Sequence, residues 1–291
     1  MAQLISLGVD FSERSLRYAV LRRGRVGDRL LKLGRVDFSF DLAHALADET
    51  AGAAREALSR ALIEGMGDLE PTVLRAALHA PLGRSFFSRS SAGDDIADGA
   101  RFEAELLGYC SQGDDAVVST DIVWRNAGVD RVHVTVTRGI VLDLLAEVID
   151  PLGCQDAQAV SALRAGAEVF RRLPWDTDLA RTRVLAIGRF DRMTELLVLD
   201  ARGWRFGSQV PSADGFRPAQ SAILLKDAGE SELDSVLTYG EPIPGDLVRE
   251  FRASRAAVLD PLELVGYDPE GLRPDEWPGR FAAALGAAML R

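Results

Sequence analysis

Residues 4–25 read LISLGVDFSERSLRYAVLRRGR, and how this stretch folds decides the architecture. An apolar run closes on Gly8-Val9-Asp10, a short polar turn follows, and Ser15 to Leu21 then carries apolar residues at alternate positions. The pattern predicts strand, tight turn, strand, because period-two alternation marks a strand and a polar cluster between two such runs marks a turn. A turn of this kind can aim backbone N–H groups and hydroxyls at an anion, leaving the Asp10 carboxylate to hold a metal ion through water. Most hairpins bind nothing, and the local pattern allows either use.

Outward from the hairpin, residues 30–38 predict a third strand and so a meander. Residues 41–65 place Leu42, Leu46, Ala53, Ala57, Leu58 and Leu62 near helical spacing, interrupted at Thr50 and stopped at Gly65, which predicts a helix behind the sheet. Residues 73–80 predict a fourth strand. From about residue 84 the texture changes: a short strand at 85–88, a helix over 94–110, strands at 119–125 and 131–139, and a helix over 140–153 ended by Pro151 and Gly153. This block reads as an α+β insertion, after which a helix over 157–172 returns the chain. Residues 183–210 then repeat the opening order of strand, polar turn, strand and hairpin. Such internal repetition predicts two related lobes with a cleft between them.

A chain of 291 residues, 47% hydrophobic and 27% charged, can bury two such cores. The formal net charge of −10 argues against nucleic acid or anionic lipid as the main partner. Cys110 and Cys154 have no Cys or His neighbour at ligand spacing, so neither zinc nor a disulfide framework is expected, and a reducing compartment fits best. The N-terminus lacks the pattern of a signal peptide, and no apolar run reaches the roughly 18 residues that would suggest a membrane span. A cytoplasmic protein is expected, reaching a membrane only through a partner. His44, His79 and His133 fall on different elements, so no metal or Ser/His/Asp constellation is expected.

Three separated stretches together resemble one family. LGVDFSERSLR (7–17), SVLTYGEPIPGDLVREF (235–251) and GRFAAALGAAMLR (279–291) are similar, in order and spacing, to phosphate loop 1, the adenosine loop and the helix beneath the cleft of the actin-like ATPase superfamily. Within it they look closest to the PilM branch, with FtsA and GspL as relatives. The resemblance implies a two-lobed, RNase H-like α/β fold. Subdomain 1A would begin at 1–83, an inserted α+β subdomain 1C would span 84–153, and 154–180 would be the return helix of 1A. Subdomain 2A would span 181–278 with subdomain 2B largely missing, and 279–291 would be a C-terminal helix, its small residues enclosed between the lobes. On the family's first loop, Asp10 falls at the metal-facing aspartate, Ser12 at the glycine, Ser15 at a hydroxyl residue and Arg17 at the lysine; Gly240 falls on the adenosine loop. These five are the vestigial nucleotide-binding candidates. No catalytic residue is expected, and Asp10 would face a metal only if nucleotide binds.

The departures from the family point away from ATP. Ser12-Glu13 replaces residues that let the backbone approach phosphate, and Glu13 adds a negative charge near negative oxygens. The second loop lacks its carboxylate, since Gly188, or Ala186 in a shifted alignment, stands at that position and Asp191 falls on the wrong part of the turn. Tyr239 would crowd adenine and ribose. Only residues 211–234 occupy the interval of subdomain 2B, leaving an open, wetted cleft. Arg17, Asp191 and Thr194 read as surface or turn-stabilising groups, and Phe86, Phe87, Val123 and Trp124 as packing residues. The resemblance therefore implies a cofactor-free adaptor of a type IV pilus or type II secretion assembly, whose partner is the short cytoplasmic peptide of a PilN-like inner-membrane protein. The alternatives are a divergent ATPase using Mg-ATP and a self-associating filament protein.

Overall fold

The computed structural model describes residues 4–290 apart from 26, 92–94, 112, 127–128, 173–182, 191–192, 212–217, 228, 231–232, 244, 252–254, 259 and 266–276. The opening stretch is strand, turn, strand: β1 (Ile5–Ser12) and β2 (Ser15–Arg22) pair antiparallel with Ser12 opposite Ser15, so Glu13 and Arg14 make a two-residue turn. Glu13 takes φ 50, a left-handed conformation that costs a residue with a Cβ. β3 (Arg29–Asp37) extends the meander, and β4 (Val73–Leu78) and β8 (Asp156–Ser161) add in parallel on the far side of β1, giving the order β3-β2-β1-β4-β8.

The second lobe repeats this plan. β9 (Val184–Arg189), β10 (Met193–Asp200) and β11 (Gly203–Pro211) form a meander, and β12 (Ser235–Gly240) and β13 (Arg255–Val258) extend it in parallel, in the order β11-β10-β9-β12-β13. The two meanders lie in separate sheets with matching strand orders, as the repeat predicts.

Strand alternation assigns each sheet two faces. In β1, Leu7, Val9 and Phe11 face an outer core with α1 (Leu42–Ala45), α2 (Gly52–Met66) and α4 (Gly139–Ile149), whereas Ser6, Gly8 and Asp10 face the other lobe. In the second sheet, Leu185, Ile187, Leu196 and Val198 cover α6 (Pro218–Asp227) and α7 (Gly245–Arg249). Ala186, Leu197, Leu199 and Tyr239 point inward. Between the inner faces lie α5 (Ala162–Arg171) and α8 (Ala282–Met289), every residue of α8 being buried. The result is five layers, α/β/α/β/α, with a shared inner core.

A third sheet, in the order β5-β7-β6, is built from β5 (Gly83–Ser91), β6 (Ala116–Asn126) and β7 (Val129–Arg138). α3 (Ile96–Leu106) covers one face through Ala100 and Ala104, which meet Phe86 and Val134. The other face meets β11: Phe87 stands edge-on to Trp204 at 4.7 Å, and His133 lies 4.5 Å from the same ring. Arg131 and Arg205 both bind buried Glu230 and both lie over Trp124, centroid distances 5.4 Å. The insertion is thus tied to the second lobe as well as the first. Of the expected packing residues, Phe86 is buried, Phe87 and Val123 border the inner core, and Trp124 is half-buried under the two arginines.

Three expectations are corrected. The single helix over 41–65 is two, because Asp48 turns back to accept hydrogen bonds from the Thr50 N–H (2.8 Å) and hydroxyl (2.7 Å), and α2 runs past Gly65 to Met66. The helix over 157–172 begins only at Ala162: residues 156–161 pair with β4, and the Ser161 hydroxyl caps the helix by accepting from the Arg164 N–H at 3.0 Å. The helix at the end of the insertion, α4, packs on the first lobe, with Val141, Leu145, Val148 and Ile149 in its outer core. Between β11 and β12, the described residues hold one helix, α6.

Candidate functional site

The parallel strands of both sheets end at the same cleft, the usual place for ligands in open α/β sheets. Asp10 lies near the end of β1, His79 follows β4, Phe190 follows β9, and Tyr239 lies near the end of β12. These side chains, with Glu195 of β10, form one buried cluster. His79 Nε2 lies 2.8 Å from Asp10 Oδ1 and Nδ1 3.3 Å from Glu195 Oε1. The Tyr239 hydroxyl donates to Glu195 Oε2 at 2.9 Å, and Gln209 Nε2 donates to Glu195 Oε1 at 3.1 Å. Arg17 Nη1 approaches Asp10 Oδ2 at 3.5 Å. Phe190 covers the imidazole, ring centroids 4.7 Å apart.

Asp10 and Glu195 are fully buried, and burying an unpaired carboxylate costs several kcal/mol. His79 and Arg17 supply the two compensating positive charges. Burial alone would push the His79 imidazolium toward losing its proton, but the charges and hydrogen bonds of Asp10 and Glu195 outweigh burial and hold its pKa at about 10. Burial raises the Tyr239 pKa well above its ordinary value, and Glu195 adds to the rise, so its hydroxyl remains a donor. The other buried histidine, His133, shows the contrast. Buried and facing the charge of Arg164, it is pushed down to about 3 and stays neutral, 3.3 Å from the Ser161 hydroxyl.

The opening turn is likewise satisfied by its own lobe. Ser15 Oγ donates to Asp37 at 2.6 Å, the Glu13 carbonyl accepts from the Leu42 N–H at 2.6 Å, and the Arg14 carbonyl accepts from the Phe38 N–H at 2.8 Å. Ser12 lines a cavity of about 70 Å³ beside His79 and Phe190. Small-molecule sites run to roughly 300–1,000 Å³, several times that volume. Larger spaces lie elsewhere: grooves of about 420 and 410 Å³ flank β5, one of the two edge strands of the third sheet, and meet at Ser88, Arg89 and Glu103. Their walls include Phe102 and Leu106 of α3, both exposed, and Phe206 and Leu224 of the second lobe.

The five candidates are therefore placed as follows. Asp10 and Arg17 come together, Ser12 and Ser15 flank the opening turn, and Gly240 closes β12 with φ 73, where a Cβ would come within 2.3 Å of the Arg189 carbonyl. Arg17 and Thr194, expected as surface or turn-stabilising groups, are both buried, because each lies on a strand of a sheet covered on both faces. Asp191 lies outside the described residues. The three histidines do lie on different elements, and of them His79 meets Asp10. A second-lobe carboxylate also exists, but it comes from Glu195 in β10 rather than from the β9 turn. Tyr239 turns inward over Gly188, where a Cβ would lie 2.3 Å from its ring, and so packs in the interlobe core.

No protein-family profile and no curated protein sequence matches the chain. Solved structures do. The type IV pilus biogenesis complex PilM–PilN superposes with a TM-score of 0.72 at 12% identity, over 99% of this chain and 98% of that one. A Bacteroides thetaiotaomicron protein of unknown function with an actin-like ATPase fold gives 0.58 at 12% identity, over 89% and 92%. The cytoplasmic domain of EpsL from the Vibrio cholerae type II secretion system is a looser likeness, 0.45 at 13% identity over 82% and 83%. Two sheets of one strand order around a shared helical layer, with a third sheet inserted in the first lobe, thus make this chain an actin-like ATPase fold of PilM-like architecture.

Proposed function

We propose that the protein is a non-enzymatic adaptor of a type IV pilus or type II secretion-like inner-membrane assembly, holding a short cytoplasmic peptide of a PilN-like membrane partner. In this reading residues 84–153 act as subdomain 1C, with α4 shared with the first lobe's core, and 181–278 as subdomain 2A without 2B. The observation that carries the proposal is the cleft: its two carboxylates are already bound by His79, Arg17, Tyr239 and Gln209, and about 70 Å³ remains. The grooves beside β5 supply room instead, with a strand edge on which an extended peptide can make main-chain hydrogen bonds. Among the described residues no helix is long and apolar enough to cross a membrane; in this reading the partner supplies the attachment.

Two measurements test this. A ligand present at a hundred times its Kd stabilises the folded state by about 2.7 kcal/mol, several degrees in Tm. Mg-ATP at cellular concentration is expected to leave the melting temperature unchanged; an upward shift lost in Asp10→Ala would establish the nucleotide-binding alternative. Affinity capture from detergent-solubilised native membranes is expected to recover an inner-membrane pilus or secretion component. Recovery of soluble proteins alone would count against the adaptor.

A further inference from the structure

We propose that His79 is a built-in latch, joining one carboxylate from each lobe and holding the cleft shut with no ligand present. Both ring nitrogens face carboxylate oxygens, at 2.8 and 3.3 Å, and only the doubly protonated ring can donate in both directions. A neutral imidazole would turn a lone pair toward a buried carboxylate. Closure of a two-lobed protein ordinarily needs a ligand that contacts both sides. Here the bridging cation belongs to the chain.

The surroundings of the ring are those a permanent ion pair requires. On the first lobe it meets Asp10 of β1, which Arg17 of β2 also approaches. On the second it meets Glu195 of β10, fixed by Gln209 of β11 and Tyr239 of β12. The formal charges balance, two negative against two positive. Glu13 and Asp41 line the small cavity at the mouth. Phe190 shields the ring, lowering the local dielectric and strengthening both contacts. No other described ion pair joins an opening-sheet carboxylate to the second sheet through a single side chain. The latch is independent of the adaptor reading, so its failure would leave the membrane-capture result standing.

The test uses the full chain and hydrogen exchange. His79→Gly should raise amide exchange on both cleft walls, around Phe11 and around Phe190, by roughly tenfold or more, because breaking a buried pair leaves uncompensated charge. Imidazolium chloride at pH 6.5 should reverse the rise in the variant, with no effect on the wild type and none from equal sodium chloride. Exchange unchanged by the substitution would overturn the latch, and so would a rise that imidazolium leaves in place. Nitrogen-15 NMR of wild-type histidine at pH 8 gives an answer even if the variant does not fold: two ring N–H protons on His79 support the latch, and a neutral tautomer overturns it.

Discussion

Gly286→Ala is expected to destabilise the protein by on the order of 4 kcal/mol or more, although alanine is the better helix former by about 1 kcal/mol. The gain in propensity is small beside the collision. A Cβ on Gly286 would lie 1.8 Å from the carbonyl oxygen of Ala165 and 2.6 Å from its carbon, both backbone atoms of the neighbouring helix α5. Gly8 makes the reciprocal demand, since its Cβ would fall 2.0 Å from the Ala284 carbonyl oxygen and 2.3 Å from the Ala288 nitrogen. Backbone cannot step aside as a flexible side chain can, so α8 would have to leave its seat between the sheets. Gly99→Ala is the control: Gly99 lies within helix α3, and a Cβ there meets nothing within 4 Å. That change is expected to be neutral or to stabilise by up to about 1 kcal/mol. Urea unfolding of the two variants would show opposite signs; a Gly286 variant behaving like the Gly99 variant would mean that α8 is not seated as described.

The inner layer shows what a single sequence reveals and what it hides. Ser6, Gly8 and Asp10 alternate with Leu7, Val9 and Phe11, and six of the eight residues in AAALGAAM are Ala or Gly, so a close approach of strand and helix is legible from local pattern. The strand over 156–161 is not. Its AQAV core is composed of residues that tolerate a helix, and only pairing with β4 makes it extended, a tertiary effect that propensity does not carry. Glu195 left a usable signal. In TELLVLD it shares a strand face with Leu197 and Leu199, and a carboxylate on an apolar face must have a buried partner. That signal says a partner exists but not which one. His79 becomes the partner only because β4 ends and β10 begins, on different sheets, at the same cleft, and position along the chain says nothing of that meeting.

Stability is expected to peak near pH 6.5 and to fall on both sides, because the two buried histidines are shifted in opposite directions. His79 has its folded pKa raised from 6.5 to about 10, so its contribution is complete below pH 6.5 and is lost as pH rises toward 10. Tyr239, also raised, extends the loss at higher pH, since the unfolded phenol ionises near 10 while the folded one remains protonated. His133 has its folded pKa lowered from 6.5 to about 3 by burial and by Arg164. Its contribution is complete above pH 6.5 and is lost as pH falls toward 3, where protonation favours the unfolded chain. Each limb amounts to several kcal/mol at its extreme, at about 1.4 kcal/mol per pH unit of separation between folded and unfolded pKa. The carboxylates of Asp37 and Asp156, held down by side-chain hydrogen bonds against the opposing effect of burial, steepen the acid limb further. The two limbs can be separated genetically. His79→Gln should flatten stability between pH 6.5 and 10 while lowering it overall, whereas His133→Gln should flatten only the acid limb. Denaturant titrations at a series of pH values measure both, and an alkaline limb as steep in His79→Gln as in the wild type would show that the bridging histidine does not carry the charge assigned to it.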